Sequence, residues 1–153
     1  MEEPKKLLVI DNDFHACDTP LAINLAIDEL RQEELRWAFY LQSQARGKEA
    51  IERGSYNALL IDNDSGEGMA TLAGLVNGHG IGIPIGYVTA YDVRELVFQN
   101  IRLEQEGKPF VYVDDFQRFG VVHIRKSGNN VSKKLRLESL GKGLVNFLRF
   151  ASQ

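Results

Sequence analysis

Disulfide bonds, membrane spans and low-complexity tracts are all missing from this 153-residue sequence. Cys17 is the only cysteine, so no intramolecular bridge can form. No apolar run approaches the roughly 20 residues needed to cross a bilayer. The start, Met-Glu-Glu-Pro-Lys-Lys, precedes only four apolar residues, Leu-Leu-Val-Ile10, too few for a secretory leader, and the expected compartment is the cytoplasm. What is present is the balance of one soluble globular domain over residues 1–153, with 44% apolar and 25% charged residues. A chain of this size buries roughly 70% of the surface its unfolded form exposes, so no metal or disulfide staple is required.

Negative charge dominates up to Phe116 and is almost absent beyond it. Residues 1–116 hold 20 Asp and Glu against 10 Lys and Arg, whereas residues 117–153 hold only Glu138 against 8 basic residues. A whole chain of net charge −3 with this polarity argues against nucleic acid as the partner and leaves two expectations for the basic segment, contact with an acidic surface or a solvated edge that discourages strand-to-strand aggregation.

The apolar run Leu7-Leu-Val-Ile10 ends in Asp11-Asn-Asp13, and the same grammar returns at Ala58-Leu-Leu-Ile61 followed by Asp62-Asn-Asp64. Two buried strands thus deliver carboxylates at their C-terminal ends. Residues 18–35 between them carry Leu21, Leu25, Ile27 and Leu30 at helical spacing, with Asp18 or Thr19 as cap and Pro20 in the first turn. Residues 37–42 read as a strand, with Trp37, Phe39 and Tyr40 in the core or on the sheet face, and residues 45–53 as a short helix. A third helix spans residues 69–76 and a fourth strand residues 83–89, ending at Thr89. Gly78-His-Gly-Ile-Gly82 follows a helix and leads into a strand, the reverse of a phosphate-binding loop, and reads as a plain connection. The next helix, residues 93–106, places Val93, Leu96, Val97, Ile101 and Leu103 on its inner side. Phe110-Val-Tyr-Val113 reads as a fifth strand ending in Asp114 and Asp115, with Lys108-Pro109 as a turn before it.

Alternating strands and helices with short connections predict a doubly wound, five-stranded parallel sheet over residues 5–116, with the working site at the carboxyl ends of the strands. Beyond it, Val121 to Lys126 and residues 131–137 alternate around a Gly-Asn turn. This predicts an inserted basic β-hairpin at about 119–137, carrying Arg125, Lys126, Lys133, Lys134 and Arg136. Ser139 then caps a final helix over about 139–151. His15, His79 and His123 are scattered and read as surface residues, and Cys17 as packing.

Leu-Leu-Val-Ile-Asp11-Asn12-Asp13, Tyr56-Asn-Ala-Leu-Leu-Ile-Asp62 and Ile83-Pro-Ile-Gly-Tyr-Val-Thr89-Ala90 together resemble the receiver domain of two-component response regulators. The resemblance implies a flavodoxin-like fold and a phosphorelay role. Asp62 would accept a phosphoryl group, Asp11 and Asn12 would organise magnesium with Asp62, Asp64 would offer its backbone carbonyl, and Thr89 would be the switch hydroxyl. Two departures from the family pattern stand out. Asn12 replaces an acid, which predicts weak magnesium binding, and Asp114-Asp115 occupy the place where a lysine should end the fifth strand. An anion beside Asp62 opposes phosphoryl binding. The expectation is therefore a pseudo-receiver with a degenerate acceptor site, working by contact with a protein partner, a histidine kinase or a downstream signalling protein, and not by turnover. The competing expectation is a magnesium-dependent phosphatase. Asp11-Asn-Asp13, Thr89, Lys108 and Asp114 are similar in order to the motifs of haloacid dehalogenase type enzymes, in which Asp11 would be the nucleophile and Asp13 the general acid and base.

Overall fold

The computed structural model describes residues 3–14, 18–77, 81–127 and 130–153. His15, Cys17, His79 and the Gly128-Asn129 turn lie outside the described residues. Five strands form one sheet: β1 (Lys5–Ile10), β2 (Trp37–Gln42), β3 (Ala58–Asp62), β4 (Ile85–Thr89) and β5 (Val121–Arg125). All neighbours are parallel and the order is β2-β1-β3-β4-β5. The helices are α1 (Thr19–Arg31), α2 (Gly47–Arg53), α3 (Glu67–Val76), α4 (Val93–Glu106) and α5 (Lys133–Ala151).

Alternate residues of the inner strands feed two cores. Leu7, Val9, Leu60 and Val88 pack under α1 and α5 with Ile23, Leu30, Trp37, Leu144 and Phe147. Leu8, Ile10, Leu59, Ile61 and Tyr87 pack on the other face with Met69, Leu72 and Leu96. Burial on both faces is why these strands read as continuous apolar runs in the sequence. Trp37 is buried as expected, whereas Tyr40 is exposed. Gly86 on β4 fills a place where a Cβ would come within 2.8 Å of Leu60 and 2.9 Å of Ile124.

The C-terminal third departs from the expectation. Residues 110–113 do not join the sheet. Val111 and Val113 are tied to α4 instead, the Asn100 side chain donating to the Val111 carbonyl at 3.1 Å and accepting from the Val113 N–H at 3.0 Å. Two short 3-10 turns follow, Val113–Asp115 and Gln117–Phe119, and Gly120, at φ 71°, turns the chain into the true fifth strand. That strand pairs with β4 from Ile85–Val121 to Thr89–Arg125. The predicted basic hairpin is therefore not formed among the described residues. Its first arm is β5, and residues 133–137 of its second arm are the first turns of α5, capped by Ser132, whose hydroxyl accepts from the Leu135 N–H, and not by Ser139. The alternation of residues 131–137 misled because its basic and apolar residues also fit one exposed helical turn, and Gly141 and Gly143, which weaken a helix start, sit in the interior of the helix. Gly143 has its own reason: a Cβ there would lie 3.1 Å from Ile124.

Helix α4 is the second departure. Of the five residues expected on its inner side only Leu96 is fully buried; Val93, Val97 and Ile101 are 55%, 40% and 48% exposed. The inner face is instead made with polar Gln99 and Asn100, because the 108–120 connection needs the Asn100 amide to hold its backbone.

Candidate functional site

Strands β1 and β3 lie side by side, with Ile10 opposite Ile61, so Asp11 and Asp62 emerge together at the carboxyl edge of the sheet. Both are nearly inaccessible, at 3% and 7% exposure. The Asp64 carboxylate joins them, and one oxygen from each of the three lies within 4.8 Å of the others. The cluster is held by backbone donors: Asp13 N–H to Asp11 Oδ1 at 2.9 Å, Asp64 N–H to Asp62 Oδ2 at 3.0 Å, and Asn12 N–H to Asp64 Oδ2 at 2.7 Å. Helix α3 can approach only because position 68 is glycine, since a Cβ there would fall 2.1 Å from the Asp62 carbonyl oxygen.

The cation that the sequence reading missed is Lys126, the first residue past β5. Its Nζ lies 2.5 Å from Asp62 Oδ1, and its backbone N–H donates to the Thr89 carbonyl at 2.8 Å. Asp114 and Asp115 do not end a sheet strand and do not take the place of a lysine beside Asp62. The signal was present in the sequence: Val121-Val-His-Ile is an apolar run after Gly120, with Lys126 two residues beyond it.

Thr89, fully buried at the end of β4, accepts from the Tyr91 N–H at 3.1 Å. His123 on β5 is half-buried and not a surface residue. Its Nε2 lies 2.8 Å from the Tyr91 carbonyl, and burial lowers its pKa below the usual imidazole value. Asn12 takes a different place from the one the resemblance implies. Its carbonyl oxygen accepts from the Gln44 N–H at 2.9 Å and its amide donates to Glu67. Gln44, also missed, reaches the cluster with Nε2, donating at 2.7 Å to both the Asp62 carbonyl and Asp64 Oδ2. Asp64, expected to serve through its carbonyl, thus brings its side chain to the cluster.

Three carboxylates against one lysine leave the pocket under-compensated. Burial first, and the Asp62 charge second, push the Asp11 pKa from 3.8 up to about 7. Burial also raises Asp62, although Lys126 pulls in the opposite direction. Such a pocket suits a small divalent cation with hard oxygen ligands. Magnesium fits this donor set, with Asp11, Asp62 and Asp64 as the residues that would hold it. Lys108, by contrast, pairs with Glu106 at 3.1 Å on the exposed end of α4, and the arrangement gives the phosphatase reading no support. Two of the basic residues assigned to the hairpin are spent on this protein's own acids, Lys126 on Asp62 and Arg136 on Asp18 at 2.9 Å.

An all-parallel sheet in the order 2-1-3-4-5, here with acidic residues at the carboxyl ends of its first and third strands, is the doubly wound flavodoxin-like fold. No family model matches the sequence, and no curated protein matches it. Among solved structures the chain is similar to a CheY-like response regulator receiver domain protein from Methanospirillum hungatei JF-1, at 16% identity over 97% of this chain and 99% of that one, with a TM-score of 0.40.

Proposed function

We propose that the chain is a receiver-type signalling domain whose Asp62 accepts a phosphoryl group and which acts through contact with a partner protein, a histidine kinase or a downstream signalling protein. The observation that carries this reading is Lys126 Nζ on Asp62 Oδ1. The inert, degenerate site expected from the sequence rested on Asn12 and on a missing lysine, and the residue after β5 supplies the lysine. In the reaction, an Asp62 carboxylate oxygen attacks the donor phosphorus while the bond to the leaving oxygen breaks. Lys126 offsets charge on the phosphoryl oxygens, and Thr89 turns its hydroxyl from the Tyr91 N–H to the new group. A bound magnesium ion would neutralise further oxygen charge, and Asp11, Asp62 and Asp64 are the residues that would hold it. Asn12, without a charge, weakens that site relative to one with an acid at position 12.

Incubation with acetyl phosphate and magnesium, followed by intact-mass measurement, tests the reading. One phosphoryl group per chain, lost in Asp62→Asn and in Lys126→Met, is the expected result. No modification of the folded wild-type chain over hours would return the site to the pseudo-receiver reading, and steady phosphate release lost in Asp11→Asn would favour phosphatase chemistry.

A further inference from the structure

We propose that the outer edge of β2 takes up the β2 strand of a second copy of this chain, antiparallel across a two-fold axis, so that two five-stranded sheets become one of ten. Strand β2 ends the sheet, with β1 on one side only. The Lys5 N–H donates to the Arg36 carbonyl and the Asp11 N–H to the Gln42 carbonyl, both at 3.0 Å, so the backbone groups of Ala38, Tyr40 and Gln42 face β1. The N–H and C=O groups of Trp37, Phe39 and Leu41 point the other way, and among the described residues these six groups have no hydrogen-bond partner. Such an edge is a template for a further strand unless it is blunted. The two edges of the sheet differ in this respect. β5 carries His123 and Arg125 and runs into Lys126, whereas Trp37-Ala-Phe-Tyr-Leu-Gln42 holds no charge and no proline.

The occupant follows from the register. With the axis at Phe39, Phe39 lies opposite Phe39 of the second copy and Trp37 opposite its Leu41. Every such pair exchanges both of its N–H and C=O groups, so all the outward groups of the two strands are used. Residues opposite one another share a sheet face. On the face covered by α1 and α5, Leu41, 39% exposed, comes to lie beside Trp37 of the second copy. On the other face Tyr40, 46% exposed and stacked edge-on against Tyr56, comes to lie across from Ala38 of the second copy. These are the pairs of closest approach, and the alanine leaves room for the ring. Large meets small twice and no charge meets its like, as a two-fold contact requires of a single surface.

One short strand per protomer covers less than the roughly 1,200 Å² in total that stable interfaces bury, so the dimer is a weak one, with a dissociation constant in the range of about 10–100 μM. Nothing in it depends on the chemistry of Asp62.

Sedimentation velocity on the full chain over a concentration series reads the association, and amide hydrogen exchange by NMR reads where it occurs, with circular dichroism as a check that each variant is folded. Wild type should pass from monomer to dimer across that range. The amides of Trp37, Phe39 and Leu41 should gain protection as the dimer forms, while those of Ala38, Tyr40 and Gln42, bonded to β1, are protected at every concentration. Leu41→Pro removes an outward donor, leaves the ladder to β1 intact, and should weaken association by about tenfold or more. Ala38→Glu and Tyr40→Lys should each weaken it by about tenfold, since the altered pair occurs twice. The two together set an acid opposite a base in both pairs and should restore association. Chains that stay monomeric at every concentration overturn the proposal. So do dimers insensitive to Leu41→Pro, exchange at Trp37, Phe39 and Leu41 that does not change with concentration, or single-variant losses that the double variant does not repair.

Discussion

Replacing Asp11 by Asn should stabilise the protein, and more so at higher pH. The unfolded chain ionises this carboxyl near 3.8, whereas the native chain holds its proton until about pH 7 because burial and the Asp62 charge oppose ionisation. Between those values the native state binds more protons than the unfolded one, so stability is fully present below 3.8 and is lost as pH rises through about 7. Integrated from pH 5 to pH 8 at about 1.4 kcal/mol per pH unit, the loss from this group is about 2–3 kcal/mol. For a domain of this size that is a fall in thermal midpoint of roughly 5–10 °C. Asn has the same shape, and its amide oxygen can still accept from the Asp13 N–H, so the variant keeps the packing and sheds the ionisation cost. The assay is urea unfolding at pH 5, 6.5 and 8 without divalent metal, wild type beside Asp11→Asn. The difference between the two curves reports Asp11 together with its interaction with Asp62, since His123, whose depressed pKa makes stability fall as pH is lowered, contributes equally to both. The gap should widen by about 2–3 kcal/mol from pH 5 to pH 8. A constant gap, or a variant less stable than wild type at pH 8, would refute the electrostatic reasoning.

Magnesium should raise the thermal midpoint more at pH 8 than at pH 5.5, because a cation competes with the proton on Asp11; an equal shift at both would place any bound ion elsewhere. Lys126→Met removes the partner of a carboxylate that is 9% exposed and should cost about 3 kcal/mol in urea unfolding at pH 8, with less at pH 5 where the cluster can take up protons. Gly68→Ala drives a methyl group against the Asp62 carbonyl and should cost about 3 kcal/mol. A near-neutral result there would mean that α3 can retreat freely from the site.

Most of the sheet was legible in the sequence because Leu7–Ile10 of β1, β3 and β4 are buried on both faces and read as apolar runs up to their carboxyl ends. The acidic residues at those ends, Asp11 and Asp62, and Thr89 at the end of β4, were legible for the same reason: a polar group directly after an apolar run marks where a strand leaves the core. β5 was hidden by competition. Phe110-Val-Tyr-Val113 is the more apolar run, and local pattern favours it. What removes it from the sheet is a non-local pair of hydrogen bonds from Asn100, which no periodicity within the segment reveals. The inverted α4 has the same cause, since the residue that clamps the connection must face inward and turns Val97 and Ile101 outward. Gln44 was invisible because its role depends on a short 3-10 turn after β2 that carries its amide across to Asp62 and Asp64.

Because Lys126 directly follows the last strand to leave the ribosome, the order of synthesis separates the anions of the site from their cation. A nascent chain that has paired β1, β3 and β4 has gathered Asp11, Asp62 and Asp64 with no lysine beside them, and their repulsion works against that partial sheet until β5 is added. Docking of β5 along β4 then closes the sheet and neutralises part of the cluster in a single event. The charge that equips the pocket for chemistry thereby also favours docking of the final strand, which ties late assembly of the domain to completion of its site.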